Sequence, residues 1–333
     1  MSFQTIFVIG AGAWGTALAQ AAALAGRDVV LVARDQSFAN EINASHCNRA
    51  YLGDRALSHN IVAQTGWSGL AAADMILMVV PAQHTRRVLL SIDGQALANK
   101  PIVLCAKGLE HGSLDRQSEI LSKVVPTAHP LVLSGPSFAD DVVAGRPTAL
   151  TLAGRDPDLT DQIAAALAGP SFRPYAASDI VGVELAGSLK NVYALACGAV
   201  EGAGLGLSAR SALMARAFAE MTRLVTRMGG EAATLTGLAG LGDLALSCTS
   251  PQSRNYWFGL QLGQGRSVEE IQQSGAKLAE GLTTAPVAQG LARAHDVDVP
   301  LIDAVNLLLA GAVSIDAIVA GLMSRPLKRE GKS

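Results

Sequence analysis

Apolar and polar positions follow a repeating order along the first half of the chain: a short apolar run, a glycine or polar stop, then a helical stretch. The first cycle is the clearest. Residues 6–9 are apolar, GAGAWG (Gly10 to Gly15) interrupts them, an alanine-rich segment follows, and Gly26 precedes a second apolar run over 29–32. The pattern predicts strand, tight turn, helix and strand. Further on it predicts a helix near 38–44, strands over 61–63 and 75–80, and a helix over 85–92. A buried strand over 102–106 and a helix around 114–124 come next. Strands over 131–133, 149–152 and 172–175 close the series, with a helix between the last two.

Strands that alternate with helices imply crossover connections and a mainly parallel sheet. Near Asp179 the pattern changes. From there to Pro326 only helical periodicity is found, broken by glycine-rich joints. The expected class is therefore α/β, with a Rossmann-type, mainly parallel sheet followed by an all-helical C-terminal domain. The domains are drawn as a dinucleotide-binding domain over 1–179 and a helical substrate-binding domain over 180–333. Only 327–333 reads as a polar tail.

The turn after the first strand carries chemistry. In a G-x-G-x-x-G sequence between strand and helix, Gly10 makes the turn, Gly12 admits a pyrophosphate to the backbone, and Gly15 allows close helix–strand packing. The helix start then offers unpaired N–H groups and a positive dipole end to the phosphates. At the end of the second strand, where NAD enzymes carry a carboxylate, the chain reads Ala33, Arg34, Asp35. Arginine can fork onto a 2′-phosphate, so NADP(H) is favoured; the adjacent Asp35 leaves room for NAD(H).

Composition narrows the classes. Half of the 333 residues are hydrophobic and 16% are charged, enough for a large core, and the net charge is −2. No basic run suggests a nucleic-acid surface. No 18-residue run lacks charged or strongly polar residues, so no membrane span is expected. The start, MSFQTIFVIG, lacks the charged region of a signal peptide. Four scattered cysteines without a C-x-x-C fit reduced thiols, and the location expected is cytoplasmic. Six histidines show no metal-ligand spacing, so no metal is expected. A homodimer is compatible with the sequence.

Ligands of open α/β sheets bind at the carboxyl edge of the strands. Lys107 ends the strand IVLCAK, and GPSFADD (135–141) follows another strand. In the second, Ser137 is placed to cap a helix, with Asp140 completing a capping-box-like pair. Lys190 lies within an apolar stripe formed by Val183, Ala186, Ala194 and Cys197. Desolvation there favours the neutral form that a general acid/base must reach. Glu184, six residues away, is not on that face. In GLAGLGDLALSCTSPQSRNYWFG (237–259), Asp243 follows a glycine run and can orient an ammonium. Ser250 and Pro251 fit the N-cap and first position of a new helix. That puts Ser253, Arg254 and Asn255 in its first turn, an anion site.

GAGAWGTALA, AKGLE, GPSFA, ELAGSLKNVYALACG, GLGDL and SPQSRN, in this order, resemble the bacterial glycerol-3-phosphate dehydrogenase [NAD(P)+] family over nearly the whole chain. The resemblance implies interconversion of dihydroxyacetone phosphate and sn-glycerol 3-phosphate, a supply of glycerol phosphate for phospholipid synthesis. It implies Lys190 as proton donor and acceptor, assisted by Lys107 and Asp243. Substrate would meet Lys107, Gly135, Ser137, Lys190, Asp243, Ser253, Arg254 and Asn255. Cofactor would meet Ala13, Trp14, Arg34, Lys107, Ala139, Arg254, Leu278 and Glu280, besides Gly10, Gly12 and Gly15. Small departures from the family pattern occur: Ala13 where a serine is common, GPSF for GPTF, and Leu278 for a valine. Two rival readings, another small-acid dehydrogenase and a silent dinucleotide sensor, are opposed by the SRN segment and by Lys190 respectively.

Overall fold

The structure, a computed structural model, describes residues 3–326; Met1, Ser2 and the polar tail over 327–333 lie outside the described residues. The chain forms two compact units. The first runs up to Lys107 and resumes over Asp115–Glu184; the second comprises Gly108–Leu114 and the described residues from Leu185 onward.

In the first unit the strands are β1 (Thr5–Ile9), β2 (Asp28–Ala33), β3 (Ile61–Thr65) and β4 (Met75–Met78). They continue as β5 (Pro101–Leu104), β6 (His129–Ser134), β7 (Thr148–Gly154) and β8 (Phe172–Ala177). Among the described residues they make one sheet of order β3-β2-β1-β4-β5-β6-β7-β8. Every pairing is parallel except β6 with β7. The first six strands thus have the doubly wound order, whose direction of winding reverses between β1 and β4. Ile6, Phe7, Val8 and Ile9 of β1 are at most 2% exposed, as expected of a strand covered on both faces.

Helices α1 (Ala13–Leu24), α2 (Gln36–Ser45), α3 (Arg49–Leu52) and α4 (Thr85–Leu90) belong to this unit. So do α5 (Gly94–Leu97), α6 (Gln117–Val124), α7 (Ala139–Val143) and α8 (Pro157–Leu167). The alternation predicted from the pattern is present, with boundaries displaced by a few residues. β5 shows the largest displacement that matters: it stops at Leu104, so Lys107 stands three residues beyond the strand and not directly at its end.

Apart from Gly108–Leu114 and the joints between elements, the second unit is built of helices, with no strand among its described residues. The helix α9 (Ile180–Gly202) enters it, followed by α10 (Gly206–Arg227), α11 (Ala232–Leu235) and α12 (Asp243–Thr249). Then come α13 (Arg254–Gly263), α14 (Val268–Gln273), α15 (Gly281–Ala294), α16 (Pro300–Leu309) and α17 (Ile315–Met323). α9 is apolar nearly all round, the mark of a core helix. By length and composition it could cross a bilayer, but 94% of its apolar window is buried inside the protein. α9 and α13 touch backbone to backbone. A Cβ on Gly198 would lie 2.0 Å from the Tyr256 carbonyl oxygen, and one on Gly259 2.0 Å from that of Leu195. Larger residues would force the helices apart. The glycines therefore fix where the start of α13 lies relative to the middle of α9.

Candidate functional site

The turn between β1 and α1 is held by close backbone approach. Gly10 adopts φ +118°, and a Cβ there would lie 2.7 Å from the Val79 oxygen just beyond β4. A Cβ on Gly15 would lie 1.8 Å from the Gly10 oxygen. Gly12 is different: it is the N-cap of α1, no side chain caps the helix there, and a Cβ on it would meet nothing within 4 Å. Uncapped N–H groups beside open space at a helix start suit a diphosphate, so the residues present fit the dinucleotide that the sequence calls for. Ala13 and Trp14, the first residues of α1, pack partly buried against the sheet core.

Arg34 is exposed just after Ala33 ends β2. Asp35 is the N-cap of α2: its Oδ1 accepts from the Phe38 N–H at 3.0 Å and from the Ser37 hydroxyl at 2.5 Å. Those bonds, the Ser37 hydroxyl first, hold its carboxyl below the usual range.

Lys107 and the GPSF turn meet. Lys107 Nζ donates to the Gly135 carbonyl oxygen at 2.9 Å, and the Ser137 hydroxyl donates to the same oxygen at 3.2 Å. Ser137 does not cap. α7 begins at Ala139 with Phe138 at the N-cap and no side-chain cap bond, which leaves Ser137 one residue too early to reach the first-turn amides. Asp140 therefore completes no capping box with it, and ion-pairs instead with Arg55 at 2.7 Å.

In the second unit the stripe around Lys190 is buried as expected, and its polar answer comes from another helix. Asp243, the first residue of α12, is fully buried, and its Oδ1 lies 2.5 Å from Lys190 Nζ. A π-helical turn over Leu238–Gly242 delivers it there. The Ser247 hydroxyl, one turn along α12, lies 2.8 Å from the same Nζ. Lys190 itself is 7% exposed. Glu184 faces elsewhere: it accepts from the Ser118 N–H at 2.8 Å and hydroxyl at 2.6 Å, and burial raises its carboxyl. The Cys248 thiol is pushed well above its ordinary range by a hydrogen bond with Cys197 and by burial.

The helix start expected at Ser250 lies three residues later. α12 runs on to Thr249, so Ser250 is its C-cap; the Ser250 carbonyl accepts from the Ser253 N–H at 3.0 Å, and Pro251 sits inside this turn. Ser253 is the true N-cap of α13, accepting from the Tyr256 N–H at 3.3 Å. Arg254 and Asn255 are then the first two residues of the helix, Arg254 exposed and Asn255 buried. Asn255 Nδ2 donates to Asn191 Oδ1 at 2.8 Å, and its Oδ1 accepts from the Gly281 N–H at 2.9 Å. One hydrogen bond thus joins the neighbours of Lys190 and Arg254. Leu278 is 52% exposed, and Glu280 is the N-cap of α15, directly before Gly281.

Ser247, Asn191 and Gly281 complete the arrangement and were not singled out from the sequence. Ser247 had a legible signal, being four residues from Asp243 and so on the same helix face. Asn191 follows Lys190 directly, whereas nothing local marked Gly281. Among the described residues, no group of three or more His, Cys, Asp or Glu is placed to hold a metal ion.

A doubly wound sheet with a glycine-rich turn at a helix start, in a chain whose helical unit buries a lysine–carboxylate pair, fits the class of nicotinamide-dependent dehydrogenases. Comparison with known proteins makes the class specific. Residues 5–160 match the model of the NAD-dependent glycerol-3-phosphate dehydrogenase N-terminus, and residues 179–320 that of its C-terminus. The chain belongs to this family. It is 51% identical to glycerol-3-phosphate dehydrogenase [NAD(P)+] of Maricaulis maris, covering 98% of both chains. It is 48% identical to that of Caulobacter vibrioides, covering 99% of this chain and 100% of the relative. The crystal structure of glycerol-3-phosphate dehydrogenase from Coxiella burnetii is similar with a TM-score of 0.90 at 37% identity, covering 97% of this chain and 99% of that one.

Proposed function

We propose that the chain is the NAD(P)H-dependent enzyme that reversibly reduces dihydroxyacetone phosphate to sn-glycerol 3-phosphate. The observation that carries the mechanism is the buried Lys190 ammonium, held by Asp243 and Ser247. The cofactor, when bound, supplies the hydride for the C2 carbonyl. Lys190 gives its Nζ proton to the C2 oxygen as negative charge develops there. Asp243 fixes the direction of that ammonium and keeps a negative charge beside it after the proton has left. Lys107 supports the developing charge. Arg254 and the N–H groups at the start of α13 hold the substrate phosphate, so binding energy remote from C2 positions the reacting carbon. Ser253, Asn255, Gly135 and Ser137 shape the substrate's surroundings.

On the cofactor side, Gly10, Gly12, Gly15, Ala13 and Trp14 receive the diphosphate. Lys107, Ala139, Arg254, Leu278 and Glu280 line the rest. NADP(H) is the preferred cofactor. The exposed Arg34, whose fork suits a 2′-phosphate, supports this. A role in the cytoplasm, supplying glycerol phosphate for phospholipid synthesis, fits four unpaired cysteines. The test is to follow NADPH and NADH absorbance separately with dihydroxyacetone phosphate. Substrate-dependent oxidation faster with NADPH is expected; no oxidation above the blank with either cofactor overturns the reading.

A further inference from the structure

Asn48 is wholly buried, and its side chain reaches back to the diphosphate turn. Nδ2 donates to the Ala11 carbonyl at 3.1 Å and to the Thr16 hydroxyl oxygen at 2.7 Å. Ala11 lies between Gly10 and Gly12, and Thr16 follows Gly15, so one amide spans nearly the whole turn. A backbone carbonyl only accepts, which obliges the amide to present its nitrogen there. Oδ1 is then turned away, buried and without a partner.

That arrangement is unusual for an asparagine at this place. Asn48 is the N-cap of α3, where asparagine ordinarily caps through its side-chain oxygen, yet no side-chain cap bond forms. The side chain has been diverted from its own helix to the turn, and a buried acceptor has been left unpaired as a result. The segment around it is tied to the same helix a second time, by the Ser58 N–H donating to Gln20 Oε1 of α1 at 2.8 Å.

We propose that Asn48 is a positioning residue for the dinucleotide site. Its amide fixes the Ala11 carbonyl and the Thr16 hydroxyl, which keeps the first-turn N–H groups of α1 aimed at the open space beside Gly12. Asn48 touches no ligand and acts through the turn. The inference rests on the reading above that this turn receives the cofactor diphosphate.

The test uses the full chain with Asn48→Asp, Asn48→Ser and Thr16→Val. Asp keeps the shape but presents oxygen to the Ala11 carbonyl; Ser loses the reach; Val removes one of the two acceptors. Dissociation constants for NADPH and NADH are measured by calorimetry, with melting temperatures taken with and without cofactor. Both Asn48 variants are expected to bind both cofactors about tenfold more weakly, by the same factor, since the diphosphate is common to both. Thr16→Val should lose less, because the bond to Ala11 remains. Cofactor KM should rise with kcat little changed, and the cofactor-induced rise in melting temperature should shrink. A purely structural asparagine would lower the melting temperature and leave affinity alone. A folded Asn48→Ser or Thr16→Val that binds both cofactors as wild type does overturns the proposal, whether or not Asn48→Asp folds. So does a loss confined to NADPH, which belongs to the 2′-phosphate end. If wild type binds neither cofactor, the dinucleotide reading itself falls.

Discussion

Around Gly10 to Gly15 the geometry is set by side chains that are absent; around Lys190 it is set by side chains that have to be present. The turn works because Gly15 brings α1 against the Gly10 carbonyl and Gly12 leaves space beside free N–H groups. The contact of Gly15 with Gly10 is a backbone contact five residues apart, and Gly10 also abuts the Val79 oxygen of the neighbouring strand end. The lysine pair works because Asp243 and Ser247, more than fifty residues along the chain, are folded onto one ammonium. Local sequence specifies the first directly. The second needs the whole helical unit to be packed before it exists.

The largest effect should come from removing the group that has no substitute. Lys190→Met keeps the apolar stem and loses the proposed proton donor, so kcat should fall by about 10²–10⁴-fold. NADPH affinity should be little changed, because Lys190 is not among the residues proposed to hold the cofactor. Near-normal kcat would remove Lys190 from the mechanism.

The turn should break in a different way. Gly15→Ala places a methyl 1.8 Å from the Gly10 oxygen, so stability should fall by about 1–3 kcal/mol and cofactor affinity with it. Gly12→Ala meets no protein atom, so its stability should stay within about 0.5 kcal/mol of wild type. Cofactor binding should nevertheless weaken, since the methyl enters the space proposed to take the diphosphate. Equal melting temperatures for wild type and Gly15→Ala would contradict the steric account.

The same contrast explains how far the sequence could be read. The glycine fingerprint, the alternating strands and the change to helices near Asp179 are short-range signals, and each has its counterpart in the structure. Lys190 stood out because a charge in an apolar stripe conflicts with its surroundings, and Asp243 because it followed a glycine run. Helix starts were misjudged where two helices nearly adjoin. Ser250, followed by proline, has the look of an N-cap, but α12 extends to it and the cap falls to Ser253. Ser137 failed likewise, because its hydroxyl turns back to Gly135. The bonds from Asn255 to Asn191 and Gly281 could not be read at all, since they depend on how α9, α13 and α15 pack.

Arg34 tests the turn's neighbour just beyond β2. Arg34→Ala should weaken NADPH by about 1.5–3 kcal/mol, the worth of a charge-assisted bond, and NADH far less. Equal losses in titrations with the two cofactors would show that Arg34 does not read a 2′-phosphate.

Arg254 tests whether the start of α13 belongs with the lysine pair. Arg254→Lys keeps the charge but not the fork, so KM for dihydroxyacetone phosphate should rise about tenfold and kcat should fall. The resemblance gives Arg254 a cofactor contact as well, so dihydroxyacetone, which lacks the phosphate, is the control at saturating NADPH. With it the variant should lose little beyond wild type's poor rate. Equal proportional losses on both substrates would place the phosphate elsewhere.

The smallest effect concerns Ser247, the member of the lysine pair that the sequence did not flag. Its hydroxyl is 2.8 Å from Lys190 Nζ and 3.5 Å from Asp243 Oδ1. Ser247→Ala removes one restraint on the ammonium and leaves the carboxylate, which carries most of the attraction. A hydrogen bond of this kind contributes about 0.5–1.5 kcal/mol, so kcat should fall roughly two- to tenfold. KM for the substrate should hardly move, because the proposed phosphate site is at α13 and not at α12. A loss as large as that of Lys190→Met would mean that the hydroxyl relays the proton itself. An unchanged kcat would mean that the Ser247 hydroxyl takes no part in orienting the ammonium.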